Sequence, residues 1–156
     1  MKKIVLGPPR TGKSTLARYL RQIVDMPVLD FDDELLSRNN GNWPGEDVQL
    51  NTRLRKEVED SVISRKDIVF MAFEVSLDGL RRAKAEGFMI YQLVASRELL
   101  VERSAERQRN DPTNDAFKYI DSNLAYQKLV KDAGLVDVEL KASTSTEDLA
   151  KSLLGR

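Results

Sequence analysis

Cysteine and histidine are both absent from the 156 residues. Without cysteine there is no disulfide framework, no thiolate nucleophile and no zinc-finger spacing, which suits a reducing compartment. Without histidine the chain lacks the usual general base and the imidazole metal ligand, so catalysis must draw on carboxylates, lysine, arginine, hydroxyls and a hard cation. An excess of charge of either sign is missing too, since 25 basic residues cancel 25 acidic ones, and no global field draws the protein to nucleic acid or anionic lipid. Long hydrophobic runs are lacking as well. "MKKIVLGPP" has only three consecutive apolar residues before Gly7, and no later run approaches the ~18 residues of a membrane span. The expectation is a cytoplasmic protein without signal peptide or membrane span, forming a single domain over residues 1–156.

What is present is a regular alternation. Five short apolar runs, at 3–7, 27–32, 67–74, 88–95 and 136–140, read as strands. "IVFMAF" and "MIYQLVA" are nearly unbroken, as in strands covered on both faces. Helical segments lie between them: 13–24; 47–65, where Leu54, Val58 and Val62 make one buried stripe; segments opening after Ser76 and Ser96, the first closed by Gly87; 114–133, with Ile120 and Leu124 on one face; and 146–154, where Ser145 and Asp148 have capping-box spacing. This order predicts an α/β fold with right-handed crossovers, a three-layer, doubly wound parallel sheet of five strands. The stretches "NNGNWPGE" and "NDPTND" fit neither period and read as loops.

Residues 7–14, Gly7-Pro8-Pro9-Arg10-Thr11-Gly12-Lys13-Ser14, match the Walker A pattern G-x-x-x-x-G-K-[ST] at every fixed position. Gly7 and Gly12 permit backbone angles and close approaches that a β-carbon blocks. The loop amides through Thr15, backed by the positive end of the helix beginning near Lys13, then face phosphate oxygens. Lys13 reaches the β and γ oxygens, and the Ser14 hydroxyl ligates Mg²⁺.

"VLDFDDEL" sets Asp30, Asp32 and Asp33 where the second strand runs out, beside the phosphate loop in such sheets. Asp30 and Asp32, two apart on a strand, point to one side, and their mutual repulsion calls for a proton or a cation such as Mg²⁺. Asp33 suits a helix cap or an acceptor contact. Asp32 is the candidate general base; an alcohol acceptor must lose a proton, whereas a phosphate acceptor is already anionic, so the sequence favours a hydroxyl acceptor.

"RELLVERSAERQRNDP" places Arg103 and Arg107 one turn apart, with Arg109 before a break at Asp111-Pro112. Either they meet an anion, Arg107 neutralising the transferring group, or Arg103, Glu106 and Arg109 pair along a solvated face. Glu74 at the end of the third strand, and Arg38, Arg53 and Arg55 flanking the Trp43 loop, are candidate acceptor contacts. Trp43 either stacks on a planar acceptor or closes a small satellite core.

With those residues in view, the chain resembles the small P-loop kinases of the adenylate kinase and shikimate kinase superfamily over nearly its whole length. The likeness rests on the loop at 7–14, the acidic strand end at 30–33, the fourth strand running into "ASRELLVERSAERQR", and the final strand and helix. It implies a P-loop kinase fold with strand order 2-3-1-4-5, ATP with Mg²⁺, an acceptor-binding region at about 33–65, and a lid at about 103–118 whose arginine matches Arg107. "DFDD" is similar both to the D-x-D of shikimate kinases, at Asp30 and Asp32, and to the acidic pair of polynucleotide kinases, at Asp32 and Asp33. "AFEVSLDG" replaces the glycine-rich stretch of shikimate kinases, which argues against shikimate itself. The expectation is an ATP-dependent kinase acting on a hydroxyl of a nucleoside-like or other small molecule. The alternatives are a nucleic-acid kinase, a nucleoside monophosphate kinase, and a nucleotide-binding switch or NTPase.

Overall fold

The computed structural model describes residues 1–113 and 115–156. Strands β1 (Lys2–Leu6), β2 (Val28–Asp30), β3 (Ile68–Ala72), β4 (Met89–Val94) and β5 (Val138–Lys141) pair in parallel in the order β2-β3-β1-β4-β5. Between and after them come α1 (Lys13–Ile23), α2 (Phe31–Arg38), α3 (Val48–Ile63), α4 (Leu77–Ala85), α5 (Arg97–Asn110), α6 (Ile120–Asp132) and α7 (Thr146–Leu154). This is the α/β architecture that the alternation predicts and the strand order that the family resemblance implies.

The unbroken apolar strands divide between two cores by the two-residue period of the pleat. Ile4, Leu6, Ile68 and Phe70 face one side, packing with Leu54, Val58 and Leu80 of α3 and α4. Val5, Val69 and Met71 face the other, against Leu16 and Leu20 of α1 and Leu149 and Leu153 of α7. Both faces are therefore dry, leaving the carboxyl edge of the sheet for chemistry. Helix α6 contributes to both cores, Ile120 and Leu124 to the second and Tyr126 and Val130 to the first.

Side chains cap five helices: Asp30 for α2, Asp47 for α3, Ser76 for α4, Ser96 for α5 and Ser145 for α7. Three local expectations need correction. The helix expected over 114–133 begins at Ile120, after a run of turns, and Asn114 itself lies outside the described residues. The second strand stops at Asp30 rather than 32, because the Asp30 side chain accepts from the Asp32 amide and starts α2 at Phe31; Asp32 therefore sits in a first helical turn, and Asp30, not Asp33, is the cap. Trp43 closes no satellite core, since it is 58% exposed.

Candidate active site

The phosphate loop leaves β1 at Gly7, whose amide donates to the Ala72 carbonyl at 3.2 Å. A β-carbon at Gly7 would lie 2.9 Å from Thr11 Oγ1 and 3.1 Å from Leu93 Cβ, so the loop closes tightly only on glycine. Arg10 and Gly12 both have left-handed backbones, at φ 68° and 90°, an arrangement that turns successive amides toward a common concavity. Gly12 also precedes α1, which has neither a side-chain cap nor an acidic residue in its first turn. Its leading amides are left to an anion.

Inside the loop the Lys13 ammonium donates to the carbonyls of Gly7 at 2.6 Å and Pro8 at 2.8 Å, while the Thr11 hydroxyl donates to Pro8 at 2.7 Å. Burial brings the Lys13 pKa down to about 8, against the upward pull of Asp30 and Asp32. Asp32 moves the other way: burial, then the neighbouring Asp30 charge, raise its carboxyl, with Lys13 opposing.

Lys13, Ser14, Asp30, Asp32 and Arg107 line one cavity of about 430 Å³, floored by the end of β3 at Ala72. A second cavity of about 600 Å³ continues from Arg10 and Thr15 past Arg103 and Arg107 to Ala142 and Thr144, beyond β5. Arg10 and Arg107 border both. Burial and the proximity of Arg107 push the Arg10 guanidinium pKa down, and its buried Nε has no hydrogen-bond partner. The two cations thus repel one another at the phosphate loop, and an anion seated between the cavities would relieve them, while Asp30 and Asp32 in one cavity and Glu106 and Asp111 in the other balance part of the charge. Arg103 makes none of the ion pairs its spacing with Glu106 suggested; it donates to the Arg10 carbonyl at 2.8 Å and the Ala142 carbonyl at 3.5 Å, tying α5 to the phosphate loop.

On the opposite side, the Arg55 guanidinium lies 5.2 Å from the ring centre of Phe31 and 5.5 Å from that of Phe73. It borders a third cavity of about 330 Å³ with Glu74, Ser76 and Thr52. Its charge also reaches Asp32, lowering that carboxyl slightly against the larger upward influences.

No family model matches the chain. It is similar to the shikimate kinase of Pseudomonas fluorescens (strain Pf0-1), 32% identical over 115 residues that make up 70% of this chain and 66% of that protein. Among solved structures it is similar to a shikimate kinase of Aquifex aeolicus, with a TM-score of 0.75 and 19% identity over 99% of this chain and 94% of the other. A gluconokinase of Sinorhizobium meliloti follows, at TM-score 0.61 and 11% identity over 99% and 89%. The chain belongs to the small P-loop kinases of the adenylate kinase and shikimate kinase type. None of these relatives lends support to a nucleic-acid acceptor. Among the described residues, no helix is long and apolar enough to cross a membrane.

Within this P-loop kinase, several candidate residues stand apart from the three cavities. Arg38 and Trp43 are exposed and border none of them, and Arg53 faces solvent beside Glu57, 3.9 Å away. Arg53 and Arg55 are two apart on α3, so one faces out when the other faces in. Arg109 is likewise exposed; Asp33 faces Arg21 at 3.9 Å and borders no part of the three cavities, but shares a fourth, of about 260 Å³, with Ser14, Asp30 and Asp32. Glu74 is no buried strand end: β3 stops at Ala72 and Glu74 is exposed at the third cavity. The sequence reading missed Phe31 and Phe73 as partners of Arg55, and Ala142 and Thr144 beyond β5. The second pair was available from the rule that ligands gather at the carboxyl ends of parallel strands, since "ASTST" follows β5 directly.

Proposed function

We propose that the protein transfers the γ-phosphoryl group of ATP to a hydroxyl of a small molecule, a hydroxylated carboxylic acid in the first instance. One observation carries the reading: Lys13, Asp32 and Arg107 border a single cavity at the mouth of the phosphate loop. In it the loop amides and Lys13 hold the phosphates, with the nucleoside end extending past Arg103 toward Thr144. The Lys13 ammonium exchanges its bonds to the Gly7 and Pro8 carbonyls for the β and γ oxygens. Asp32 accepts the proton of the attacking hydroxyl. As the bond from the acceptor oxygen to γ-phosphorus forms, the bond to the bridging β,γ oxygen breaks and ADP leaves. Arg107 neutralises charge on the transferring group, the effect that matters most in such reactions. Because Asp32 has its carboxyl raised by burial, it is a stronger base than an exposed aspartate.

Mg²⁺ fits this donor set. Ser14 and Asp30 supply hard oxygens beside Asp32, and the crowding of the two carboxylates is relieved by a cation. Among the described residues no group of three or more carboxylates could hold a metal. When bound it would neutralise β and γ charge.

The acceptor class is supported by Arg55, whose guanidinium packs against the Phe31 and Phe73 rings and whose charge reaches Asp32, a seat for a carboxylate. Shikimate and gluconate, the compounds that name two of the similar proteins, are both hydroxylated acids. A cytoplasmic location belongs to the same reading. The test is transfer from γ-labelled ATP with Mg²⁺ across hydroxylated acids, nucleosides, nucleoside monophosphates, neutral sugars and hydroxyl-ended oligonucleotides. Labelled hydroxy acid is the expected product. Phosphate release that ignores every acceptor would make the protein an NTPase instead.

A further inference from the structure

Two consecutive residues of α6 each grip a backbone on a different side of β1. The Tyr126 hydroxyl accepts from the Val75 amide at 2.9 Å and donates to the Val75 carbonyl at 2.5 Å. The Gln127 amide group does the same at Ala95, accepting from its N–H at 3.2 Å and donating to its carbonyl at 3.4 Å. A third bond, from Gln92 Nε2 to the Gln127 carbonyl at 3.2 Å, fixes α6 to β4.

Val75 lies in the loop after β3, between Glu74 and Ser76, which border the third cavity beside Arg55. Ala95 lies after β4, immediately before Ser96, the cap of α5, and α5 carries Arg103 and Arg107. Since β3 and β4 flank β1, these bonds join the segments on the two sides of the strand from which the phosphate loop leaves, and the helix has apolar residues in both cores. Helix packing alone holds such an element by non-directional contacts. Paired donor and acceptor bonds to single residues fix position and orientation as well, and inside a protein such bonds are costly to leave unmade.

We propose that Tyr126 and Gln127 are positioning residues that carry closure of α5 over nucleotide to the wall of the acceptor cavity. The inference rests on the nucleotide reading of the phosphate loop. When Arg103 and Arg107 engage phosphates, the root of α5 at Ala95 shifts; Gln127 takes α6 with it, and Tyr126 moves Val75, drawing Glu74 and Ser76 against the acceptor. Ser76 is held from the other side by Glu59 of α3, whose carboxylate accepts from its amide at 2.9 Å and its hydroxyl at 2.8 Å. Removing the Tyr126 hydroxyl therefore uncouples the loop without unfolding it.

The experiment is amide hydrogen exchange on the full chain with and without the non-hydrolysable analogue AMP-PNP and Mg²⁺. In the wild type, nucleotide is expected to slow exchange at 7–14, at 93–97 and at 73–77, each by about fivefold or more. In Tyr126→Phe the first two responses persist while that at 73–77 falls below about twofold. Gln127→Leu, which keeps the Tyr126 bonds, loses the 73–77 response as well. Undiminished slowing at 73–77 in Tyr126→Phe overturns the proposal, as does a wild type in which 7–14 responds and 73–77 does not. No response at 7–14 in the wild type is a separate result: it removes the nucleotide reading, and this coupling with it.

Discussion

The Lys13 ammonium lies 2.6 Å from the carbonyl oxygen of Gly7, so the loop is closed on its own cation. Burial holds that cation at a pKa of about 8. A triphosphate would bring negative charge to the same point, so the bound form keeps its proton to higher pH than the free form. Below about pH 8 both forms are protonated and affinity is level; above it binding must take up a proton, and the Kd for ATP should rise by up to about tenfold per pH unit. Calorimetry near pH 9 in buffers of different ionisation heat should register this uptake. A Kd that stays flat through that range would exclude a phosphate-binding Lys13 that titrates near 8.

Asp32 gives the opposite sign. Its folded-state pKa is raised, so the stability it contributes is present at low pH and lost as pH rises through that value; at neutral pH the ionised form is a liability to the ligand-free fold. Asp32→Asn should therefore leave the melting temperature equal or higher at pH 7 while lowering phosphoryl transfer by roughly 10²- to 10⁴-fold. Its affinity for ATP should stay near normal. A fall in melting temperature would assign Asp32 a structural ion pair instead.

Arg55 and Arg53 offer a matched comparison on one helix. Arg55→Met should raise the acceptor KM by about tenfold or more, the size of one charge-assisted contact, with the KM for ATP unchanged. Arg53→Met, on the solvent face beside Glu57, should alter neither. Steady-state kinetics on the labelled acceptor decides, and equal effects from both variants would remove Arg55 from the acceptor cavity.

Gly7→Ala tests the loop itself. The new methyl group would press on Thr11 Oγ1 and Leu93 Cβ, and Thr11 yields only by giving up its buried bond to Pro8. Overpacking of this kind costs about 1–3 kcal/mol, read as a lower midpoint in urea, together with weakened nucleotide binding. Stability and affinity both at wild-type values would mean that the turn is looser than its geometry.

Sequence patterns carried the parallel sheet because two-sided burial leaves a clear mark in "IVFMAF" and "MIYQLVA", and the phosphate loop because glycine spacing is a backbone requirement; the strand order came only with the family resemblance. The placement of Asp32 was less legible. A strand and a first helical turn both accept "LDFDD", and the bond from the Asp32 amide to Asp30 decides between them. Arg55 could not be told from Arg53 by composition; only the phase of α3 against Phe31 and Phe73 separates them. Tyr126 and Gln127 left no trace at all, since their partners are backbone atoms 51 and 32 residues away and no side-chain pattern records such bonds.

The two outermost strands, β2 and β5, are three and four residues long. An unpaired rim that short offers few free amides and carbonyls for a strand from another molecule to zip onto. Concentrated or partly heated samples should accordingly resist joining rim to rim into fibrils, which frees the catalytic edge of the sheet to remain open and wet without endangering solubility.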